Sequence, residues 1–185
     1  MRKLIVFNMV SLDGFFADVD GGIGWHVVDA EFNRFAVDQL HTVDALVFGR
    51  KTFDLMAEYW TTADAIKDDP EVAERMNSLP KIVVSTTRID VENWQNSRVL
   101  RGSLPEAINA LKQQPGRDLI VFGSGELVSA LTNHGLIDEY RLMIAPVILG
   151  KGRSQFDGVT HNIKLKSLTS RPFASGALLL TFQPG

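Results

Sequence analysis

The chain has no cysteine among its 185 residues. This absence excludes disulfide bonds, thiolate nucleophiles and cysteine-ligated metal, and it is consistent with a reducing compartment such as the cytoplasm. Histidine is scarce as well, because the chain has only His26, His41, His134 and His161, which lie far apart in the sequence. Since no two of them have the spacing of a zinc ligand pair, we expect no metal centre.

Positive charge is not in excess, because 19 lysines and arginines face 22 aspartates and glutamates, for a net charge of −3. This balance gives no general attraction to nucleic acid or to anionic membranes. The apolar run Leu4–Phe7 stops at Asn8, too short for a signal-peptide core, and no stretch nears the roughly 18 apolar residues that span a bilayer. The sequence therefore predicts a soluble, cytoplasmic protein with one domain over residues 1–185, and neither nucleic acid nor membrane as a partner.

Several short apolar runs are typical of strands that are buried on both faces. They are Leu4–Phe7, Ala45–Phe48, Ile82–Val84, Leu119–Phe122 and Leu142–Ile144. Between them, apolar residues recur at helical spacing, so that strand and helix alternate through about residue 134. This alternation predicts an α/β fold with right-handed crossovers and a mostly parallel central sheet.

The last fifty residues change character. Tyr140–Leu149, Ile163–Leu168 and Leu178–Phe182 are predicted strands with no helix between them, which indicates antiparallel C-terminal strands. Earlier in the chain, the polar stretch Thr61–Asn77 is the best candidate for a mobile insertion, with a short helix beginning at Pro70.

The first candidate binding segment follows the predicted strand that ends at Phe48. It consists of Gly49, Arg50, Lys51 and Thr52. In open α/β sheets, ligands bind at the carboxyl ends of strands, where helix amino termini offer N–H groups to anions. The glycine allows close approach, the two cations supply charge, and the threonine supplies a hydroxyl group. Alternatively, Gly49 serves only the turn and the basic pair is solvated.

The second segment follows the strand that ends at Phe122 and reads Gly123, Ser124, Gly125, Glu126 and Leu127. Two glycines around a serine can present successive N–H groups to a pyrophosphate. The pattern is not the full G-x-G-x-x-G fingerprint, because Val128 stands where the third glycine belongs. A tight strand-to-helix connection without a ligand is therefore the alternative.

The third segment is the hydroxyl-rich strand end formed by Ser85, Thr86, Thr87 and Arg88. Hydroxyl groups beside a guanidinium can hold the 2′-phosphate that distinguishes NADPH from NADH. Taken alone, this segment is better explained as a turn. Three phosphate-competent strand ends in one small sheet nevertheless favour a dinucleotide site.

These segments resemble the cofactor signatures of the dihydrofolate reductase superfamily, over Asp44–Phe53, Lys81–Ser85 and Val121–Leu127. Ser11–Phe15 and Ala145–Gly152 resemble the branch that contains the reductase domain of riboflavin biosynthesis. The resemblance implies a three-layer α/β/α dihydrofolate-reductase-like fold and NADPH as the cofactor.

The resemblance also implies roles for individual residues. Gly49, Arg50, Lys51 and Thr52 would contact the cofactor phosphates, and Ser85 and Thr86 would lie near the adenosine ribose and its 2′-phosphate. Gly123, Ser124, Gly125, Glu126 and Leu127 would wrap the pyrophosphate. Asp13 and Gly14 would lie in the loop over the nicotinamide and the substrate.

The catalytic candidates are two carboxylates, Asp13 and Glu31. Dihydrofolate reductases carry an acid near the start of the first helix, and Glu31 is the nearest such residue here. It lies about two positions from where the spacing back from Gly49 would put that acid, and Asn33 falls closer. We expect Asp13 and Glu31 to orient the substrate and to relay a proton.

The resulting prediction is an NADPH-dependent reductase of a small heterocyclic substrate, pterin- or pyrimidine-like. The alternative is a catalytically inactive nucleotide-binding sensor or assembly protein on the same fold. Gly21–Gly24 followed by Trp25 and His26 is either a flap over the site or a plain surface loop. Ile144 and Val147–Leu149 either form a homodimer face or complete one subunit's sheet.

Overall fold

The computed structural model describes residues 1–87 and 90–185. Its elements are β1 (Leu4–Ser11), β2 (Phe15–Ala17), α1 (Ala30–His41), β3 (Val43–Gly49), α2 (Arg50–Trp60), α3 (Ala63–Asp68), α4 (Pro70–Ser78), β4 (Lys81–Val84), β5 (Ser97–Leu100), α5 (Leu104–Gln113), β6 (Asp118–Phe122), α6 (Gly125–Asn133), β7 (Glu139–Ala145), β8 (Arg153–Ser154), β9 (Leu165–Pro172) and β10 (Leu178–Pro184).

A single eight-stranded sheet forms the centre of the molecule, in the order β5-β4-β3-β6-β1-β7-β10-β9. The strands from β5 to β7 are mutually parallel, whereas β10 runs antiparallel to β7 and β9 antiparallel to β10. The predicted mostly parallel sheet with antiparallel C-terminal strands is confirmed. β2 and β8 form a separate two-stranded antiparallel sheet.

Helices cover both faces of the sheet, and the alternation of β1 shows the two interfaces. Ile5 and Phe7 belong to one apolar core, which includes side chains of α1, α2 and α4. Leu4 and Val6 point the other way into a second core, which includes side chains of α5 and α6. This arrangement is the predicted three-layer α/β/α fold, and truncating one of these buried side chains to alanine would cost about 3 kcal/mol.

The apolar runs found in the sequence all lie in observed strands, but three strands were missed. β2 is apolar but has only three residues and none that is β-branched, β8 has two polar residues, and β5 begins with the polar pair Ser97 and Arg98, so none of them stands out as a strand in the sequence. β7 stops at Ala145, earlier than predicted, because Pro146 cannot donate to the hydrogen-bond ladder. β9 begins two residues later than predicted and runs to Pro172.

The interpretation of Thr61–Asn77 as an insertion is wrong. This stretch forms α3 and most of α4, and α4 begins at Pro70 as predicted, with Asp69 as its N-cap. The α4 side chains Val72 and Met76 are buried in the core against α1 and α2, so the segment belongs to the packed helical layer. Among the described residues, no helix is long and apolar enough to cross a membrane.

Because six neighbouring strands are parallel, their last residues lie at one end of the sheet, which we term the carboxyl edge. β6 pairs with β1 only as far as the Phe7–Phe122 pair, whereas β7 pairs with β1 up to Ser11 and Ala145. Beyond Phe7, β1 therefore has a strand neighbour on one side only. The space between this part of β1 and the chain that leaves β6 is termed the β1–β6 gap.

Candidate functional site

Two helices begin side by side at the carboxyl edge without side-chain caps. α2 starts directly after Gly49 and α6 directly after Ser124, and neither N-cap residue makes a side-chain cap bond. Side chains cap α1, α3 and α4 through Asp29, Thr62 and Asp69, whereas α5, which begins after Ser103, likewise lacks a side-chain cap. The first-turn N–H groups of α2 and α6 are therefore positioned to bind an anion, and the helix dipoles favour one there.

Ser124 joins the two loops that precede these helices. The Gly49 N–H donates to Ser124 Oγ at 2.9 Å, and the Ser124 N–H donates to Thr52 Oγ1 at 3.1 Å. The Ser124 hydroxyl in turn donates to the carbonyl oxygen of Phe122 at 3.0 Å. The structure thus brings the first and second predicted binding segments together, and it uses the hydroxyls of Ser124 and Thr52 to hold them.

The chain between β6 and α6 needs its glycines for different reasons. Gly123 has a φ of +57° and is followed by Ser124 at +60°, so two successive residues are left-handed. A Cβ at Gly123 would lie 3.0 Å from Thr52 Cγ2. A Cβ at Gly125 would lie 2.5 Å from the Phe16 ring, where only the absence of a side chain leaves room. Both glycines therefore make room for protein side chains, Thr52 beside Gly123 and Phe16 beside Gly125.

The cations of this edge are exposed and loosely paired. Arg50 lies 3.6 Å from Asp54 and Lys51 lies 3.4 Å from Glu126, with side-chain exposures of 46% for Arg50 and 66% for Lys51. Exposed pairs of this kind contribute about 0–1 kcal/mol, so both cations can pair with a phosphate at little cost. Glu126, in the first turn of α6, adds a negative charge that would oppose such a ligand.

The third predicted segment follows β4, next to the first segment, because Val84 pairs with Gly49. Ser85 Oγ donates to the Thr87 carbonyl oxygen at 3.1 Å and accepts from the Thr87 N–H at 3.2 Å, while Thr86 is exposed. This is a turn, as the sequence alternative held, at the strand end next to the α2 amino terminus. Arg88 lies outside the described residues.

Asp13 connects the turn after β1 to the loop after β7. Its carboxylate accepts hydrogen bonds from Ser11 Oγ at 2.6 Å and from the N–H groups of Leu149 at 3.1 Å and Gly150 at 2.7 Å. The Ser11 hydroxyl contributes most to lowering the pKa of this carboxyl, desolvation opposes it, and the backbone N–H groups of Gly150 and Leu149 lower the pKa further. At neutral pH Asp13 is therefore an anion and an acceptor, not an acid.

The same two segments make further contacts with each other. β2 pairs with β8, and the Gln155 N–H donates to the Gly14 carbonyl oxygen at 3.1 Å. Gly152 packs so closely on the Ala17 carbonyl oxygen that no side chain could be placed there. Ser11–Phe15 and Ala145–Gly152, which carried the resemblance to the riboflavin branch, are thus one interlocked unit beside the β1–β6 gap.

Glu31 makes its contacts with a different part of the edge. Its carboxylate accepts from the Ala174 N–H at 2.9 Å and lies 3.5 Å from Arg171, whose guanidinium covers the Phe173 ring. These contacts attach α1 to the β9–β10 turn. No contact among the described residues joins Glu31 to Asp13, and Asn33 is half-buried without a side-chain hydrogen bond in the same set.

Aromatic rings near the β1–β6 gap were assigned only to the core by the sequence analysis. Phe7 lies with its ring centroid 6.4 Å from that of Phe32 and 6.0 Å from that of Phe122. Phe32 and Phe122 are only partly buried, so they present apolar faces at this edge. In the sequence, the position of Phe32 near a helix start and of Phe122 at a strand end could have indicated this exposure.

The Trp25–His26 pair is half-buried, and its rings meet edge to face with centroids 4.4 Å apart. Burial lowers the pKa of His26 to about 4, so this imidazole is neutral at pH 7. A role of this segment as a flap stays a prediction. Within residues 1–87 and 90–185, no three His, Asp or Glu side chains cluster in a way that could hold a metal ion.

Fold and edge together define an α/β protein of the dihydrofolate-reductase-like class, with uncapped helix amino termini and exposed cations at its carboxyl edge. The chain belongs to the RibD C-terminal domain family, which matches residues 2–179.

Individual relatives agree with this assignment. The uncharacterized protein YyaP of Bacillus subtilis (strain 168) is 32% identical over 181 residues, covering 98% of this chain and 94% of the relative. A putative riboflavin biosynthesis protein from Shewanella sp. PV-4 has a TM-score of 0.78 at 23% identity, covering 100% of this chain and 99% of that one. Dihydrofolate reductase from Enterococcus faecalis, solved as a complex with NADP(H), has a TM-score of 0.64 at 14% identity, with 99% and 96% covered. The structural likenesses show the fold.

Proposed function

We propose that this protein is an NADPH-dependent reductase that transfers a hydride to a small heterocyclic substrate, pterin- or pyrimidine-like. The observation that carries the proposal is the pair of uncapped helix amino termini, α2 and α6, held together by Ser124. Arg50 and Lys51 stand beside them as exposed cations. This combination suits the two negative charges of a pyrophosphate.

The order of strands at the carboxyl edge supports a single extended cofactor. Moving from β4 through β3 and β6 to β1 crosses a hydroxyl-rich turn, two helix amino termini and the β1–β6 gap. In the proposed arrangement, Ser85, Thr86 and Arg50 hold the 2′-phosphate, the loops at Gly49–Thr52 and Gly123–Leu127 hold the pyrophosphate, and the nicotinamide enters the gap. The donors fit an anionic dinucleotide, and NADPH, which the Enterococcus enzyme is named as binding, would supply the hydride.

The substrate side of the proposal rests on the aromatic rings at the gap. Phe32 and Phe122, which are only partly buried and pack on the buried Phe7, offer flat apolar contacts that suit a planar ring. Asp13 would act as a carboxylate that fixes the loop over the ring and accepts a hydrogen bond from the substrate. Glu31 would orient the substrate from the start of α1 and supply a proton. Excluding water and fixing the ring against the cofactor are the demands that hydride transfer makes on the protein.

The test is a titration of NADPH and NADH against the purified chain, followed by cofactor fluorescence. We expect NADPH to bind at least tenfold more tightly than NADH. Arg50→Ala should weaken NADPH by about tenfold, as loss of a charge-assisted bond to phosphate does, and should weaken NADH less, because NADH lacks the 2′-phosphate. Ser85→Ala should act in the same direction. Lys67→Ala, an exposed cation on α3, is the matched control and should change neither.

The possible outcomes of the titration test different parts of the proposal. Equal affinity for the two cofactors would eliminate the 2′-phosphate assignment while leaving the dinucleotide site. Absence of binding by either cofactor would eliminate the site itself.

A second candidate function, a nucleotide-binding sensor or assembly protein without catalysis, is favoured by one observation. Both candidate carboxylates are already engaged by the protein, Asp13 by Leu149 and Gly150, and Glu31 by Ala174 and Arg171. NADPH oxidation measured across pterins, pyrimidines and quinones distinguishes the two functions. Turnover of any of them that falls in Asp13→Asn or Glu31→Gln supports the reductase, whereas tight binding with no turnover supports the sensor.

We also propose that the protein works in the cytoplasm as a homodimer. All eight residues of the edge strand β9 are exposed, including Leu165 and Leu168 among mostly polar neighbours, and the unpaired backbone groups of an exposed edge strand can pair with a second copy. Ile144, by contrast, lies within β7 and serves the subunit's own sheet. Light scattering should give a dimer mass that Leu168→Lys reduces to that of a monomer; a wild-type monomer would refute the dimer.

A further inference from the structure

A buried pair of side-chain amides lies beneath the loop Gly123–Leu127, which is one of the two loops proposed to hold the pyrophosphate and is termed the phosphate loop. The pair consists of Asn8 on β1 and Gln155 just after β8. Asn8 is 3% exposed and Gln155 2%. The Asn8 Nδ2 group donates to Gln155 Oε1 and also to the carbonyl oxygen of Gly123, at 3.2 Å. Asn8 is the polar residue that interrupts the first apolar run of the sequence, on the same face of the strand as the buried Leu4 and Val6.

Each side chain of this pair also leaves one polar atom without a partner in the described part of the chain. Asn8 Oδ1 and Gln155 Nε2 are buried and have no hydrogen-bond partner among the described residues. An unsatisfied buried polar atom opposes folding, and an apolar pair of the same shape would avoid that cost. A polar pair retained in such a place therefore calls for a role other than stabilising the core.

The contact with Gly123 indicates that role. Gly123 is the first of the two left-handed residues that turn the chain from β6 into α6, and its carbonyl is held by Asn8 from below. Ser124, the second, is held by Thr52 and Gly49 from the side. Gln155, which orients Asn8, is fixed through its own N–H to Gly14, next to Asp13. The amide pair thus links the phosphate loop to the unit that carries Asp13.

We propose that Asn8, oriented by Gln155, is a positioning residue for the cofactor: it holds the Gly123 carbonyl so that the N–H groups at the start of α6 face the pyrophosphate. This inference rests on the proposed function and deepens it. Neither side chain touches the cofactor in this arrangement. Their effect is on the shape of the loop that does.

The test uses Asn8→Leu, Gln155→Met and the double variant, each compared with wild type for unfolding midpoint and cofactor affinity. Affinity is measured for NADPH and for 2′-phospho-ADP-ribose, which keeps the pyrophosphate but lacks the nicotinamide. We expect Asn8→Leu to be destabilised and to weaken both ligands equally, on the order of tenfold. Replacing both partners removes the unsatisfied atoms, so the double variant should recover the wild-type midpoint while its affinities stay weak.

If the pair were merely structural, the cofactor affinity of the double variant would recover together with its unfolding midpoint. A recovered midpoint with weak affinity therefore indicates a positioning role. Thr132→Val, which removes a buried hydrogen bond with Tyr140 near the far end of α6, is the control and should lower the midpoint without changing either affinity. Affinity that returns with stability in the double variant overturns the proposal, as does unchanged affinity in a folded Asn8→Leu. If wild type itself fails to bind NADPH, the proposed function fails as well.

Discussion

The two ends of the central sheet use the same residue types for different purposes. At the end where the strands begin, termed the amino edge, Arg2 pairs with Asp44 and Lys112 lies 2.6 Å from Asp138. The side chains of Arg2 and Lys112 are 7% and 6% exposed. At the carboxyl edge the cations are about half exposed or more, and their pairs are weak. Charge at the amino edge thus stabilises the fold, whereas charge at the carboxyl edge is exposed and contributes little to it.

We expect substitutions at the amino edge to have the largest effect on the free energy of unfolding. Asp138 also accepts from the Leu4 N–H at 2.7 Å, so Asp138→Ala leaves this strand N–H without its acceptor and leaves the buried Lys112 ammonium with only the Leu136 carbonyl oxygen, at 3.2 Å. We expect the free energy of unfolding to fall by about 3 kcal/mol, while the folded variant binds NADPH as wild type does. Urea unfolding and cofactor titration measure the two quantities.

Asp157→Ala is the control for this change, because Asp157 is exposed and has no side-chain hydrogen bond among the described residues. It should alter stability by no more than about 0.5 kcal/mol. Weakened cofactor binding in Asp138→Ala would show that a change at the amino edge alters the carboxyl edge, which would contradict the separate roles of the two edges.

A second prediction concerns Lys81 at the start of β4, which is fully buried. Its ammonium donates to the Asn77 carbonyl oxygen at 2.6 Å and lies 4.7 Å above the Trp94 ring. Desolvation lowers its pKa from 10.5 to about 8. Between these values the folded protein releases a proton that the unfolded chain keeps, so stability should rise with pH across this window.

The measurement is the difference in unfolding free energy between wild type and Lys81→Met at pH 7, 9 and 10.5. We expect this difference to move in favour of wild type by about 2–3 kcal/mol from the lowest to the highest pH. Lys67→Met, at an exposed lysine, should show no such trend. A flat difference for Lys81→Met would mean that water reaches the ammonium in the folded state.

The two edges were also not equally predictable from the sequence. The strand-to-helix glycines of the carboxyl edge were found because Gly49 and Gly123 directly follow apolar runs, and a run followed by glycine and a helix is a local pattern. The contacts that hold the edge are not local. Asp13 reaches Gly150 across 137 positions, and Asn8 reaches Gln155 across 147. Residue spacing carries no information about such partners.

The remaining differences between the predicted and the observed structure arise from exposed strands and from contacts between distant parts of the chain. β9 is exposed along its whole length, so its sequence lacks the apolar alternation that would have set its bounds. Glu31 was selected as the nearest acid to the start of the first helix, but its contacts depend on the distant turn at Ala174. What the sequence could supply was which residue types stand at each strand end. Which of them remain available to a ligand depends on packing.

A third prediction compares two left-handed glycines, Gly123 at the start of α6 and Gly135 just beyond its end. Alanine at either position should cost about 1 kcal/mol of stability, since both have a positive φ. Gly135→Ala meets no atom within 4 Å, whereas Gly123→Ala would press on Thr52. We therefore expect only Gly123→Ala to weaken NADPH, by about tenfold. Equal affinity in both variants would mean that the loop does not shape the cofactor site.

The smallest expected effect is at Glu126, whose side chain is 92% exposed and pairs with Lys51 at 3.4 Å. Its charge lies at a helix amino terminus, where it competes with a phosphate for the same donors. Glu126→Gln should therefore tighten NADPH by about two- to threefold at low salt, as an exposed charge does, and the gain should vanish at high ionic strength because such charges are screened. Titration at two salt concentrations measures it. Weaker binding of NADPH by Glu126→Gln would indicate instead that the carboxylate accepts a hydrogen bond from a cofactor ribose. Glu126 would then bind the cofactor and not repel its phosphate.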